Sequence, residues 1–407
     1  MNEKNNSRSL KVTCLLILMV AIGPLSTDLY LPSLPSLTEY FSTSVSRVQA
    51  TMSVFMGGFA VATVIYGPLS DRFGRRSSLM AGLSIFILGS FGCMAAGSVE
   101  ALIGWRFVQA VGGCAGPVVA RAIIRDVYER HEAARLLSYM ASAMALAPAI
   151  APLIGGWLHV MFGWRSHFVA LALVGIALVG AALVLLSETN AHRDERATDV
   201  SRIGKNVRIM FSDKLFVACT MTLMFSYGAL FSFISVSAFI VIDVLGVAPD
   251  RFGYLFIFVA FGFVGGGMTG GWLVRRLGME RLIGSGLGIG LCAGAIGVAM
   301  AALGLETIPS VIVPIMGVFF ACGLVLPNAT AAALIPFPQI AGTASSAIGF
   351  VQMGGGAFIG FIAGLLHNGT TVPLFSVIFL CWICAGGIYF TALRKGFIRP
   401  SGDAKNA

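Results

Sequence analysis

Charge is what this chain has least of. Only 11% of its 407 residues are charged while 57% are hydrophobic, and the mean hydropathy is +0.88. A soluble protein of this length needs far more charge on its surface, so a soluble fold is excluded and an integral membrane protein is indicated. Other absences narrow the function. No nucleotide-binding loop is present, so an ATP-driven mechanism gives way to one driven by an ion gradient. No nucleophile–base or metal constellation lies in the apolar runs, which argues against an enzyme, and no sizeable soluble output domain supports a sensor. His131, His159, His167, His192 and His367 fall in loops or at the ends of apolar runs, too scattered for a metal site. Neither a cofactor nor a metal is expected. The cations lie in short loops between runs, so no face is built for nucleic acid. The first apolar run lacks a small-residue cleavage site and reads as a retained span rather than a signal peptide. The eight cysteines lie in or beside apolar stretches. Even Cys381 and Cys384, at redox or metal spacing, sit inside the last run and read as small buried hydrophobes.

Apolar length is what the chain has in abundance. A helix needs about twenty apolar residues to cross the hydrocarbon, and twelve such runs occur, at 12–31, 48–68, 78–98, 101–123, 134–158, 166–187, 215–242, 252–274, 282–303, 308–330, 341–366 and 372–393. With no water in lipid to satisfy open backbone, these must be helices. The fold expected is all-α. Gly (50) and Phe (30) are both abundant, as close helix packing and an aromatic-lined cavity require. An even number of spans puts both ends on one side. Lys and Arg cluster in the N-terminal tail, the 2–3 loop, the 4–5 region (Arg121, Arg125, Arg130, Arg135), the central segment, the 8–9 loop and the tail. Only Arg47, Arg165 and Arg251 fall on the opposite side, and Arg106 lies within a span. The positive-inside rule therefore makes both termini cytoplasmic.

The one long polar stretch, 188–214, divides the spans six and six. Residues 1–187 form a first half, 215–393 a second, and 394–407 a cytoplasmic tail. Within the stretch Val200, Ile203, Val207 and Met210 recur at helical spacing among Arg202, Lys205 and Arg208. They suggest either a short helix on the inner leaflet or a solvated linker. The halves repeat. Gly67-Pro-Leu-Ser-Asp71-Arg72-Phe-Gly74-Arg75-Arg76 in the 2–3 loop has a counterpart in Gly271-Trp-Leu-Val-Arg275-Arg276-Leu-Gly278. Parallel six-helix repeats are the layout of a transporter with a midplane site between its halves. Gly265-Gly-Gly267-Met-Thr-Gly270 fits a dinucleotide fingerprint in letters only, because no strand–helix unit surrounds it. Like Gly356, Gly360 and Gly364, it reads as helix packing.

Asp28 is the only acidic residue well inside an apolar run, and carboxylates at membrane depth mark proton or ion pathways. Arg106 is its obvious basic counterpart. Desolvation and a nearby cation act on a carboxylate's proton affinity in opposite directions. Asp28 is therefore expected to load a proton facing outward and to release it inward, in competition with a cationic or neutral amphiphile. Arg106 is expected to modulate this directly or through a water.

The chain resembles the major facilitator superfamily across essentially its full length, and within it the Bcr/CflA subfamily of proton-driven drug exporters. The 2–3 loop fits the superfamily's G-x-x-x-D-R-x-G-R-[RK] signature. Ser26-Thr-Asp28-Leu-Tyr30-Leu-Pro32 resembles the subfamily's first-helix motif, and Arg106-Phe-Val-Gln109-Ala-Val-Gly112 its fourth-helix motif. Arg121-Ala-Ile-Ile-Arg125-Asp126-Val-Tyr128 is also similar to this subfamily. The fifth-helix signature, usually G-x-x-x-G-P-x-x-G-G, departs here: Ala147-Pro148-Ala-Ile-Ala151-Pro152-Leu-Ile-Gly155-Gly156 keeps the proline and the glycine pair but puts Ala at the first two glycines.

The resemblance implies a twelve-helix major facilitator fold. It also implies a cytoplasmic latch from Gly67, Asp71, Arg72, Gly74, Arg75 and Arg76, and a pliant, leak-tight fifth helix from Pro148, Pro152, Gly155 and Gly156. Its cavity would be lined chiefly by helices 1, 4, 7 and 10, with contributions from their neighbours, and Tyr30, Tyr227, Phe231, Asn328 and Gln352 are candidates. A monomer in the bacterial inner membrane is expected, exchanging small amphiphilic antibiotics of bicyclomycin, chloramphenicol or sulfonamide type for protons. The alternative is a proton-coupled exporter of an amino acid, dipeptide or sugar. A greasy pocket with few fixed polar groups favours broad selectivity.

Overall fold

The computed structural model describes residues 3–190 and 193–395. His192 and the tail residues Arg399 and Lys405 lie outside the described residues, as do the side chains of Lys4, Arg8, Arg130 and Arg202. Among the described residues twelve helices are long and apolar enough to cross a membrane: Lys11–Tyr40, Val45–Phe73, Arg75–Ala95, Val99–Val127, His131–Phe162, Arg165–Leu185, Lys214–Val244, Pro249–Leu277, Met279–Ala302, Ile308–Leu334, Pro338–Leu365 and Val372–Arg394. Each coincides with one expected run, and most extend past it, because capped and charged turns continue the helix beyond its apolar core.

Two spans are broken where proline removes a donor. The first is α-helical to Asp28, passes through a single 3-10 turn at Leu31–Ser33, and resumes over Leu34–Tyr40. Pro32 has no N–H for the Asp28 carbonyl, so the ladder ends at that residue. The fourth span divides at Cys114 into Val99–Gly113 and Ala115–Val127, where Pro117 leaves the Gly113 carbonyl without its partner. Pro148 and Pro152, by contrast, are carried inside an unbroken fifth helix.

The first six spans pack mainly among themselves, as do the last six. The principal contacts between the two groups are second span against eleventh and fifth against eighth. Small residues make these contacts possible. A Cβ on Gly156 would lie 2.4 Å from the Pro249 carbonyl oxygen, and one on Gly253 2.3 Å from the Leu153 Cα. Gln49 Nε2 donates across the same end to the Gly360 carbonyl, at 2.7 Å. All these contacts lie toward the side opposite the termini. On the termini side the groups part around a cavity of about 740 Å³, lined by the second and fourth spans, the central segment and the eleventh span.

The central segment does form a helix, Val200–Ser212. Its apolar edge is not simply laid on lipid: Ile203, Val207 and Phe211 line the termini-side cavity, and Met210 is buried. The glycine-rich stretch 265–270 lies within the eighth helix, where Gly262 and Gly266 let it approach the backbone of Met316 and Phe320. Cys381 and Cys384 are both free thiols in the twelfth span.

Candidate functional site

A second cavity, of about 380 Å³, lies at the centre of the bundle between the two groups of six. The first, second, fourth and fifth spans line it from one side, and the seventh, eighth, tenth and eleventh from the other. Its walls are Phe, Met, Leu, Val and Pro side chains, and Asp28 and Arg121 are the only charged residues among them. Asp28 is buried, 2% exposed, at the end of the first helical segment. Thr27 Oγ1 donates to its Oδ1 at 2.9 Å. Tyr227 and Phe231 stack with ring centroids 6.2 Å apart on the facing seventh span and line the same space. Gly356 and Gly360 on the eleventh span give these rings room: a Cβ there would lie 2.6 Å from Tyr227 and 2.7 Å from Phe231.

Three other candidates for the cavity are placed elsewhere. Tyr30 is fully buried within the first six spans, its hydroxyl 3.2 Å from Thr51 Oγ1. Asn328 donates back to the Leu324 carbonyl of its own helix at 2.7 Å. Gln352 is half-buried beside Met353, which does line the cavity, but is not itself part of the wall. Periodicity gives the face of a helix and not which neighbour covers it, so these three were not separable from Tyr227 and Phe231 in the sequence.

Arg106 also differs from expectation. It forms no ion pair with Asp28 and does not reach the cavity. The guanidinium is fully buried. It donates to the Ser26 carbonyl at 3.0 Å and to Gln109 Oε1 at 2.6 Å, and lies 4.1 Å from the centre of the Phe55 ring and 4.9 Å from that of Tyr30. Gln109 passes the chain on to Ser90 at 2.9 Å. Arg106 thus grips the backbone two residues before Asp28, and touches the carboxylate only through the helix that carries it.

Arg121 was grouped with the loop cations because it lies close to the end of its apolar run. Pro117 and the break at Cys114 turn that last segment so that Arg121 faces the central cavity, while Arg125, one turn on, faces the termini-side cavity. The histidines are less scattered than they looked. His159 and His167 stack at 6.3 Å and share the Ser33 hydroxyl, at 3.0 and 3.2 Å. Among the described residues no group of three potential ligands assembles.

The 2–3 loop forms a compact charged knot. Asp71 pairs with Arg75, whose Nε donates to Asp126 Oδ2 at 2.8 Å and whose Nη1 donates to Ser70 at 2.7 Å. The central segment lies across it. Glu188 accepts from the Arg75 backbone N–H at 2.9 Å, Asn190 donates to the Asp71 carbonyl at 2.9 Å, and Arg72 reaches Thr198 at 2.5 Å. Arg76 donates to the Leu183 carbonyl at 3.1 Å. Gly74 has φ 100°, and a Cβ on it would lie 2.3 Å from a Glu188 carboxylate oxygen, so both backbone and space demand glycine. Gly278 in the repeated loop has φ 79°, which shows the repeat in backbone form. Gly67, Asp71 and Arg75 border the termini-side cavity, opposite Gln339 and Thr343 of the eleventh span's entry. On the fifth span Pro148 lines the central cavity, and Pro152 abuts Gly253. Gly155 meets the Leu29 carbonyl, next to Asp28, where a Cβ would be 2.1 Å away.

Comparison with known proteins agrees with this architecture. The Major Facilitator Superfamily model matches residues 16–361. A chloramphenicol resistance protein of Pseudomonas aeruginosa is 30% identical over 385 residues, covering 92% of this chain and 89% of that protein. A bicyclomycin resistance protein homolog of Haemophilus influenzae is 28% identical over 387 residues, covering 93% and 96%. The crystal structure of a bacterial homolog of the human lysosomal transporter Spinster superposes with a TM-score of 0.75 at 16% identity, covering 99% of this chain and 100% of that one. The chain is a transporter rather than an enzyme, a multi-pass protein of the bacterial inner membrane, and it belongs to the major facilitator superfamily, among its Bcr/CflA-type members.

Proposed function

We propose that this protein exports small amphiphilic, drug-like molecules in exchange for protons, by alternating access between residues 1–187 and 215–393 joined by 188–214. Both termini and the 394–407 tail lie in the cytoplasm on this reading. The observation that carries it is Asp28, a lone buried carboxylate in the wall of an apolar cavity between the two groups of six spans. A titratable group there meets either a proton or a cargo molecule, and its charge is costly unless one of them is present. Tyr227 and Phe231 offer flat apolar faces with one hydroxyl, which suits varied amphiphiles better than a single polyhydroxylated metabolite. The names of the curated relatives point the same way.

With the termini inside, the arrangement is inward-facing. The second–eleventh and fifth–eighth contacts close the outer end, and the large cavity opens to the cytoplasm. In the outward-facing state the knot at Asp71 and Arg75 would meet the start of the eleventh span across that cavity and latch it shut. Arg106 would hold the Asp28 segment in register. Proton loading would occur with the cavity open outward and release with it open inward.

Inverted membrane vesicles containing the protein should accumulate chloramphenicol when energised and lose it on addition of a protonophore. Accumulation that survives full collapse of the proton gradient would rule out proton coupling. Absence of accumulation across a panel of amphiphilic antibiotics would move the cargo to metabolites.

A further inference from the structure

We propose that Arg121 is the residue by which this transporter selects the charge of its cargo. It would favour neutral amphiphiles bearing an electron-rich head, such as a nitro or carbonyl group, over cations. This rests on the export reading above and deepens it by naming the substrate class.

The argument begins with placement. Among the described residues Arg121 is one of two charged side chains in the wall of the central cavity and the only cation there. It is accessible, and no hydrogen bond or ion pair engages it among the described residues. The contrast with Arg106 and Arg75 is instructive. Arg106 donates through Nη1 to Ser26 and Gln109 and lies against aromatic rings, although its buried Nε has no partner, and Arg75 is held by two carboxylates. Both are engaged inside the protein and away from the central cavity. An arginine in an apolar-walled cavity whose planar donors have no protein acceptor is arranged to receive one from a ligand.

Depth adds to this. Gly116 on the fourth span lies against Met19 on the antiparallel first span, and Gly113 against Ile22. Arg121 therefore sits toward the termini side, more than a dozen residues below the level of Asp28. At about 1.5 Å per residue this puts the two at opposite ends of the cavity. Cargo entering from the cytoplasm passes Arg121 first. A cation must approach an unneutralised guanidinium before it reaches Asp28, whereas an acceptor group can be held by it while the apolar body lies against Tyr227 and Phe231.

The test is binding of two probes to the purified full-length protein in detergent: chloramphenicol, a neutral nitroaromatic, and tetraphenylphosphonium, a lipophilic cation. Wild type should prefer chloramphenicol. Arg121→Gln should bind chloramphenicol about tenfold more weakly and tetraphenylphosphonium about tenfold more tightly. For the cation that factor is roughly what one unit charge some 10 Å away exerts at an effective dielectric near 20; for chloramphenicol it is about the loss of one hydrogen bond to a charged donor. Arg121→Lys keeps the charge and should keep the rejection of the cation, which separates charge from folding. Unchanged affinities in Arg121→Gln, with a wild-type elution profile, would overturn the proposal. So would tight binding of the cation by wild type. Vesicle accumulation of chloramphenicol reports separately on export. If export holds while Arg121→Gln is indifferent, only this inference fails; if nothing is exported, the reading beneath it fails.

Discussion

At the scale of single residues, the buried arginine and the buried carboxylate have different jobs. Arg106 donates through Nη1 to a carbonyl and an amide oxygen, and its flat guanidinium lies against rings. Lysine lacks that planar group. Arg106→Met leaves the Ser26 carbonyl and Gln109 without their donor, and each unsatisfied buried acceptor costs about 1–3 kcal/mol. Both Arg106→Lys and Arg106→Met should therefore lower the thermal unfolding midpoint in detergent, the second more. Gly74 is held where only glycine rests without strain, so Gly74→Ala should cost about 1–3 kcal/mol and loosen Glu188.

Glu188 itself supplies a pH signature. Burial pushes its carboxyl up, but the backbone N–H groups of Asn190, Arg75, Thr189 and Arg76 outweigh this and hold it below the usual carboxylate range. A depressed folded value adds stability above the unfolded value, near 4.3, and that stability is lost as pH falls through the folded one. The midpoint gap between wild type and Glu188→Gln should therefore persist from pH 8 to 5 and close below about pH 4. A gap that widened in acid would contradict this sign. Asp28 was legible in the sequence because an acid in an apolar run is costly and stands out from its neighbours. Arg121 was not, because an arginine near a run's end is ordinarily a topology cation. Only the break before Pro117 shows which way it turns.

At the scale of elements, the 2–3 loop and the fifth helix act at opposite ends of the bundle. In this conformation the loop is knotted to the fourth span and roofed by the central segment, and a cavity separates it from the eleventh span. If it latches the other conformation, Asp71→Ala should slow turnover several-fold and leave chloramphenicol affinity within about twofold. Unchanged turnover would remove the latch from the account. The fifth helix meets its neighbours through bare backbone: Gly155 on Leu29 and Gly156 on Pro249. Gly156→Leu should hold the fifth and eighth spans apart at the end opposite the termini. Cysteine labelling from that face near Asp250 should then rise against the wild-type background, and a wild-type labelling rate would show that the contact does not seal that end. The glycine pair and both prolines were readable as a packing motif. Their partners were not, because a backbone-to-backbone contact leaves no trace in the residue types of the helix it touches. For the amphipathic stretch at 200–212 the sequence left helix and linker open; the helix forms, and its burial against the cavity depends on the seventh and eleventh spans.

At the scale of the whole molecule, hydrophobic length alone locates twelve helices, since lipid permits no other way of satisfying the backbone. The six-and-six pattern follows from one polar segment and a repeated loop. What the sequence does not carry is the conformational state. The closed end opposite the termini and the larger cavity on the termini side appear only in the interhelical contacts. The account as a whole turns on the carboxylate in the cavity wall. Its most direct test is substrate-induced proton release from inverted vesicles carrying Asp28→Asn, alongside substrate exchange at equilibrium in the same vesicles. The account predicts that chloramphenicol exchange continues while substrate-driven proton movement is abolished. Proton release at the wild-type amount from the Asn variant would contradict it.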